Sequence, residues 1–162
     1  MEHSEADLRA FVGPRFDYYQ ERWERFERSG RRHLPFNFAA FFGGFVWVLY
    51  RRMYRIVGIA IAIVIAEAII SGWVAATWMG LQSTSRTHDS LIALVISATT
   101  GTFGNLWYYR HAERRLNALR ASGASEADIR RAGGVRWWPI FILFGSLGVL
   151  GLLVMAAGTT SP

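Results

Sequence analysis

Apolar residues occur in long blocks along this chain, and the charged residues occupy the segments between the blocks. The block from Ile56 to Trp78 contains one charge in 23 residues. The blocks from Leu91 to Tyr109 and from Trp138 to Gly158 contain no charge in 19 and 21 residues. A helix needs about 20 predominantly apolar residues to cross roughly 30 Å of hydrocarbon. The pattern therefore predicts an all-α integral membrane protein with three transmembrane helices.

A fourth apolar segment, 36–50, is open to two interpretations. Its 15 residues would form a helix of about 22 Å, which is shorter than the hydrocarbon core. Pairs of arginines flank it at 31–32 and 51–52, and the pair Gly43-Gly44 near its centre offers a hinge. We predict a re-entrant or short inserted helix that returns to the side from which it enters. The alternative is a short complete span, which gives four transmembrane helices.

Residues 1–35 are polar and predict an N-terminal amphipathic helical region. Phe16, Tyr19, Trp23 and Phe26 form an aromatic stripe with helical spacing. The region contains seven arginines and seven acidic residues, so charge alone would not hold it on an anionic lipid surface. Two placements would bury the aromatic stripe. The helix packs against the protein's own membrane part or a partner, or it lies flat on the bilayer.

The distribution of arginine predicts the orientation of the chain. Segments 51–55 and 110–136 hold three and seven arginines, whereas the segment 79–90 holds only Arg86, which is balanced by Asp89. Arginine-rich loops stay on the cytoplasmic side of a membrane. We therefore predict a cytoplasmic N-terminus and an outward-facing segment 79–90.

These assignments define the domain organisation. The predicted regions are a cytoplasmic amphipathic part at 1–35, a membrane domain at 36–158 and a tail at 159–162. The membrane domain comprises the inserted segment 36–50, the spans 56–78, 91–109 and 138–158, and a cytoplasmic helical linker at 110–137.

Composition narrows the possible chemistry and the possible partners. The chain has no cysteine, which excludes disulfides, thiolate metal ligands and cysteine nucleophiles. Its four histidines are scattered without metal-ligand spacing, so we predict no metal and no cofactor. A net charge of +6 beside apolar spans favours anionic phospholipids over nucleic acid as the polyanion that the protein contacts. We predict lipid-headgroup contacts at Arg51, Arg52 and Arg55.

Glu67 is the one ionisable residue deep within a predicted span. A lone charge at that depth is costly, so an intramembrane acid is protonated or has a polar partner. Ser71 lies one turn away, and Ser97 and Thr100 reach a similar depth in the next span. These four residues form a predicted intramembrane polar site. It is either an ion or proton site or a structural hydrogen bond between helices.

Small residues at three- and four-residue spacings predict close helix packing. They suit contacts within a bundle, with other membrane subunits or between copies of this chain. The predicted packing positions are Gly58, Ala62, Ala66, Gly101, Gly145, Gly148 and Gly151.

Two runs of sequence carry a resemblance to a known family. FNFAAFFGGFVWVLYRRMY begins at Phe36, and GNLWYYRH begins at Gly104. Together they resemble the bacterial membrane family catalogued as domain of unknown function 2628, which implies a small bacterial inner-membrane protein and no assigned activity. The polar positions of these runs predict a cluster at the cytoplasmic boundary that seats the inserted segment. Its members are His33, Asn37, Asn105 and His111.

These features favour a non-catalytic accessory or scaffold subunit of a larger membrane protein complex. No catalytic constellation is visible, and three spans leave little internal volume for a pathway. One alternative is an oligomeric transporter or channel component that uses Glu67. Another is an enzyme acting on lipid headgroups with His111 and nearby arginines.

Overall fold

The structure is a computed structural model that describes residues 4–30, 35–78 and 86–158. Within these ranges the chain forms seven α-helices and no β-strand, which confirms the all-α class. The helices are α1 (Glu5–Val12), α2 (Phe16–Arg28), α3 (Phe38–Tyr50), α4 (Tyr54–Trp78), α5 (Arg86–Ala121), α6 (Glu126–Ala132) and α7 (Trp138–Gly158). His33, most of the segment 79–90 and the tail 159–162 lie outside the described residues.

Two of the described helices are long and apolar enough to cross a membrane. These are α4, with 25 residues, and α5, with 36. The apolar stretches Phe38–Tyr50 in α3 and Trp138–Leu153 in α7 are shorter. In α5 the predicted span 91–109 and the charged residues that follow it form one continuous helix.

The second half of α5 is the centre of a helical head, which consists of α1, α2, α6 and residues 105–121. Apolar side chains from all four parts form its core. They are Leu8, Phe11 and Val12 of α1, Phe16, Tyr19 and Trp23 of α2, Tyr108, Ala112 and Leu116 of α5, and Ile129 of α6.

The aromatic stripe of α2 faces this core. Trp23 is 1% exposed, and its ring centroid lies 5.8 Å from that of Tyr108 and 5.3 Å from that of Tyr109. Phe16 and Tyr19 are equally enclosed. Of the two placements that the sequence left open, the stripe therefore packs against the protein's own α5 and not against a lipid surface.

A partly buried ion pair connects α1 to the far end of α5. The carboxylate of Asp7 is mostly enclosed and accepts two hydrogen bonds from Arg120, one of them from Nε at 2.8 Å. The same helix is capped by Ser4, whose hydroxyl oxygen accepts from the amide of Asp7. The charged start of the chain is thus part of the folded head.

Helix α3 is bent in its middle, and both of its ends lie against the same stretch of α5. Gly44 has φ 46° and ψ −122°, a conformation that interrupts the helix and favours glycine. Before the helix, the amide of Asn37 donates to the carbonyl oxygen of Gly101 at 2.8 Å. After it, Arg51 Nη1 donates to the hydroxyl oxygen of Tyr108 at 3.3 Å. These two positions on α5 are only about 10 Å apart along the helix axis, so both ends of the segment contact one short stretch of α5.

Helix α6 lies against α1 through a glycine contact. Ser125 caps α6 in a capping box with Asp128, and Gly133 ends it. The amide of Gly134 donates to the carbonyl oxygen of Phe11 at 2.7 Å. A Cβ added to Gly133 would fall within 2.7 Å of three backbone atoms of Phe11, so only glycine permits this approach.

Gly133→Ala is expected to lower the stability of the head by about 1–3 kcal/mol. The added methyl group meets backbone atoms, which cannot rotate away as a side chain would. Chemical denaturation in mild detergent, followed by tryptophan fluorescence, measures the loss. Gly72→Ala is the matched control, because the same methyl group meets nothing within 4 Å there. Equal stability of the two variants would contradict the close contact between α6 and α1.

Candidate functional site

The centre of the site is a pair of buried asparagines that joins α3 to α5. Asn37 Nδ2 donates to Asn105 Oδ1 at 2.8 Å, and the two residues are 0% and 3% exposed. The other side-chain atoms are also satisfied: Asn37 Oδ1 accepts from the amide of Ala40, and Asn105 Nδ2 donates to the carbonyl oxygen of Pro35. The predicted proximity of Asn37 and Asn105 is therefore confirmed.

Further hydrogen bonds connect this pair to the head and along α5. Trp23 Nε1 donates to the carbonyl oxygen of Asn105 at 3.2 Å, which brings α2 to the same point. Thr100 Oγ1 donates to the carbonyl oxygen of Ala40 at 2.9 Å. These hydrogen bonds thus fix the relative positions of α2, α3 and α5, because buried polar groups of this kind are costly to leave unpaired.

Arg51 is enclosed by tyrosines and not by lipid or water. It is 4% exposed, and its guanidinium carbon lies 4.7 Å from the ring centroid of Tyr19 and 4.9 Å from that of Tyr108. These are cation–π distances. Burial raises the pKa of Tyr19, and the charge of Arg51 opposes that rise. The burial corrects the lipid-headgroup contact predicted for Arg51.

Arg52 holds the turn after α3 against the end of α6. Its backbone has φ 61°, which is unusual for a residue other than glycine, and its Nη1 donates to the carbonyl oxygens of Arg131 and Gly133 at 2.9 and 2.7 Å. Partial burial, together with the charge of Arg136, lowers the pKa of Arg52. Of the three arginines predicted to contact lipid, Arg55 alone is both exposed and outside this structural network.

His111 lies on the head side of α5, apart from the asparagine pair. Its ring centroid is 6.1 Å from that of Phe11 and 6.5 Å from that of Tyr108. Burial, reinforced by the charges of Arg115 and Arg114, lowers the pKa of His111 to about 4. No hydrogen bond to Asn37 or Asn105 is present, so within the described residues the predicted four-residue cluster reduces to these two asparagines.

Glu67 has a partner that the sequence did not indicate. His88 Nε2 lies 2.7 Å from Glu67 Oε1, across from α4 to the start of α5. Ser71 donates instead to the carbonyl oxygen of Ala68, and Thr100 binds α3 and its own helix. The predicted site of Glu67, Ser71, Ser97 and Thr100 is therefore not assembled; an ion or proton role for Glu67 stays a prediction.

The predicted packing positions fall into two groups. At Gly101 a Cβ would fall 2.7 Å from the Phe36 ring and 2.9 Å from Phe41 Cβ, so this glycine permits α3 to approach α5. The other six predicted positions, on α4 and α7, are exposed. They are Gly58, Ala62, Ala66, Gly145, Gly148 and Gly151.

The arrangement is suited to holding helices together. Among the described residues, no group of three or more His, Asp or Glu side chains is placed to hold a metal ion. Sequence reasoning missed the roles of Trp23 and Tyr108, which contact the site from the head. Only two features of the sequence indicated their burial: the helical spacing of the aromatic stripe, which includes Trp23, and the run GNLWYYRH, which includes Tyr108.

Together these features define the class: a small all-helical protein in which a buried asparagine pair joins α3 to α5 beside a helical head, and in which α4 and α5 are long and apolar enough to cross a membrane. Residues 4–114 match the family model described as "Protein of unknown function (DUF2628)". The match covers more than half of the 162 residues, so the chain belongs to this family, as the resemblance indicated. The match includes the asparagine pair, whereas α6 and α7 lie beyond it. No curated protein and no solved structure matches the chain.

Proposed function

We propose that this protein is a non-catalytic accessory or scaffold subunit of a larger protein complex in the bacterial inner membrane. In this proposal α4, the first half of α5 and α7 are spans, α3 is a re-entrant segment, and the head is cytoplasmic. The lengths of α4 and α5 support the membrane location. The contact of both ends of α3 with one short stretch of α5 supports three spans over four, because the ends of a complete span would lie about 30 Å apart across the hydrocarbon.

The observation that carries the proposal is the sparse packing of α7. Among the described residues, α7 packs only against α3, and no Cα of α7 lies within 8 Å of a Cα of α4 or α5. Cβ atoms added at Gly145, Gly148 and Gly151 would meet nothing within 4 Å. Because small residues let membrane helices approach closely, this open face is suited to a helix of another subunit.

Native mass spectrometry after mild detergent extraction tests this function. We expect the chain in a defined complex with at least one other membrane polypeptide. Gly148→Leu fills the open face and should dissociate the complex, whereas Ser146→Leu, on another side of the same helix, should leave it intact. A monomer with no partner would refute the accessory-subunit role. An assembly of this chain alone would also refute that role and would show that the protein is a homo-oligomer.

A further inference from the structure

Helices α4 and α5 enclose a cleft and do not pack together. No Cα of α4 lies within 8 Å of a Cα of α5, although Glu67 and His88 join the two helices at one point. The space between them, bounded also by α3, has a volume of about 550 Å³. This is within the range of about 300–1,000 Å³ that is usual for ligand pockets.

The walls of the cleft are apolar over most of its length. Ile56, Ile59 and Ile63 line it from successive turns of α4, and Val95 and Ile96 line it from α5. Phe45 and Val48 of α3 close one side. Such walls favour a hydrocarbon occupant over water.

Three arginines line one end of this cleft. Arg55 comes from the start of α4, and Arg110 and Arg114 come from adjacent turns of α5. All three are exposed, and none forms an ion pair within the described residues. Some other exposed arginines do have acidic partners: Arg25 pairs with Glu21, and Arg130 pairs with Glu126. The end of the cleft therefore carries uncompensated positive charge.

We propose that this cleft binds one anionic phospholipid, with its phosphate at Arg55, Arg110 and Arg114 and an acyl chain along the apolar walls. The distance along α5 from Arg110 to Val95 is about 22 Å. One leaflet contributes about 15 Å of hydrocarbon, so a lipid with its phosphate at the arginines has its chain alongside the apolar wall. The inference rests on the membrane location proposed above, but not on the existence of a partner subunit.

Charge complementarity is the reason to prefer a lipid over a helix of another protein. Arginine binds phosphate oxygens in a bidentate manner, and three arginines at one end of a hydrocarbon slot match a phosphate that continues into an acyl chain. A partner helix would have to place acidic residues at the same end of the cleft to neutralise the three arginines. The cleft is also separate from the open glycine face of α7.

Lipid titration followed by native mass spectrometry tests the proposal on the purified full chain. Phosphatidylglycerol is expected to give a one-lipid adduct, and phosphatidylcholine is expected to bind at least tenfold more weakly. Arg114→Gln should weaken phosphatidylglycerol binding about fivefold, and the triple change at Arg55, Arg110 and Arg114 about 100-fold. Arg115→Gln is the matched control, because this neighbouring arginine is equally exposed and does not line the cleft.

A second pair of variants tests the hydrocarbon part without changing charge. Ala60→Phe fills the cleft and should abolish the one-lipid adduct, whereas Ala68→Phe, on the same helix outside the cleft, should retain it. Equal binding of the two lipids, or no loss in the triple variant relative to Arg115→Gln, would overturn the proposal. So would a polypeptide that cross-links to cysteine at position 60 and excludes lipid. A monomer that binds the lipid specifically would refute the accessory-subunit role alone, and a chain that does not fractionate with membranes would refute the membrane location.

Discussion

Asn37→Asp is expected to destabilise the protein by about 3–5 kcal/mol at neutral pH, although it only replaces the side-chain amide with a carboxylate of nearly the same size. The new carboxylate oxygen would face Asn105 Oδ1, an acceptor, in a site where Asn37 is fully buried. Rotating the Asn105 amide would not help, because its oxygen would then face the carbonyl oxygen of Pro35. An uncompensated buried charge has a cost of this size. Denaturant unfolding in mild detergent measures the change.

The pH dependence of this variant separates a buried charge from a general packing defect. A protonated Asp at position 37 can donate to Asn105 Oδ1, so its folded pKa should be raised above the unfolded value of about 3.9. The contribution of this side chain to the stability of the variant is then fully present below the unfolded pKa, and it is lost as pH rises through the folded pKa. Asn117→Asp, at an exposed position of α5, is the control and should show neither effect. A pH-independent loss at Asn37→Asp would rule out the buried acceptor contact.

Trp23→Ala is expected to cost about 3–5 kcal/mol and to release α2 from α5. The substitution removes a fully buried ring that contacts Tyr19, Tyr108 and Tyr109, and it also removes the hydrogen bond to the Asn105 carbonyl oxygen. Limited proteolysis within α2, together with the denaturation midpoint, reports both effects.

The chain offers a matched control for this change. Trp73 is 61% exposed on α4, so Trp73→Ala removes the same side chain without opening the core of the head. We expect a midpoint close to that of the unmodified protein. If Trp23→Ala also left the midpoint and the protease resistance unchanged, α2 would not be packed as described, and a placement of its aromatic stripe on lipid would be favoured.

Local signals were sufficient to predict most helices. The helical spacing of Phe16, Tyr19, Trp23 and Phe26 indicated α2, because residues three and four apart lie on one face of a helix. The Gly43-Gly44 pair indicated the bend in α3, which occurs at Gly44 because a positive φ costs glycine little. The apolar blocks located α4 and α7 within a few residues, whereas α5 begins five residues before its block and continues twelve residues beyond it. Each of these signals lies within one helix.

The site was only partly predictable. Asn37 and Asn105 were identified as polar positions at the ends of two apolar segments, and they meet. Glu67 was recognised as needing a partner, but His88 was not recognised as that partner, since spacing along one helix says nothing about how two helices cross. The lipid contact predicted for Arg51 failed for a similar reason: its enclosure depends on Tyr19, which comes from a different part of the chain.

By itself, the sequence determined the approximate positions of most helices, which stretches are apolar enough to enter a membrane, and which family the chain belongs to. These properties depend on the composition and order of neighbouring residues. Only the tertiary structure decided that the aromatic stripe of α2 faces the protein, that Arg51 is buried while Arg55 is not, and that α4 and α5 leave a cleft between them. Those outcomes depend on contacts between residues that are far apart in the chain, and hydrophobic periodicity indicates that a face is buried without indicating what covers it.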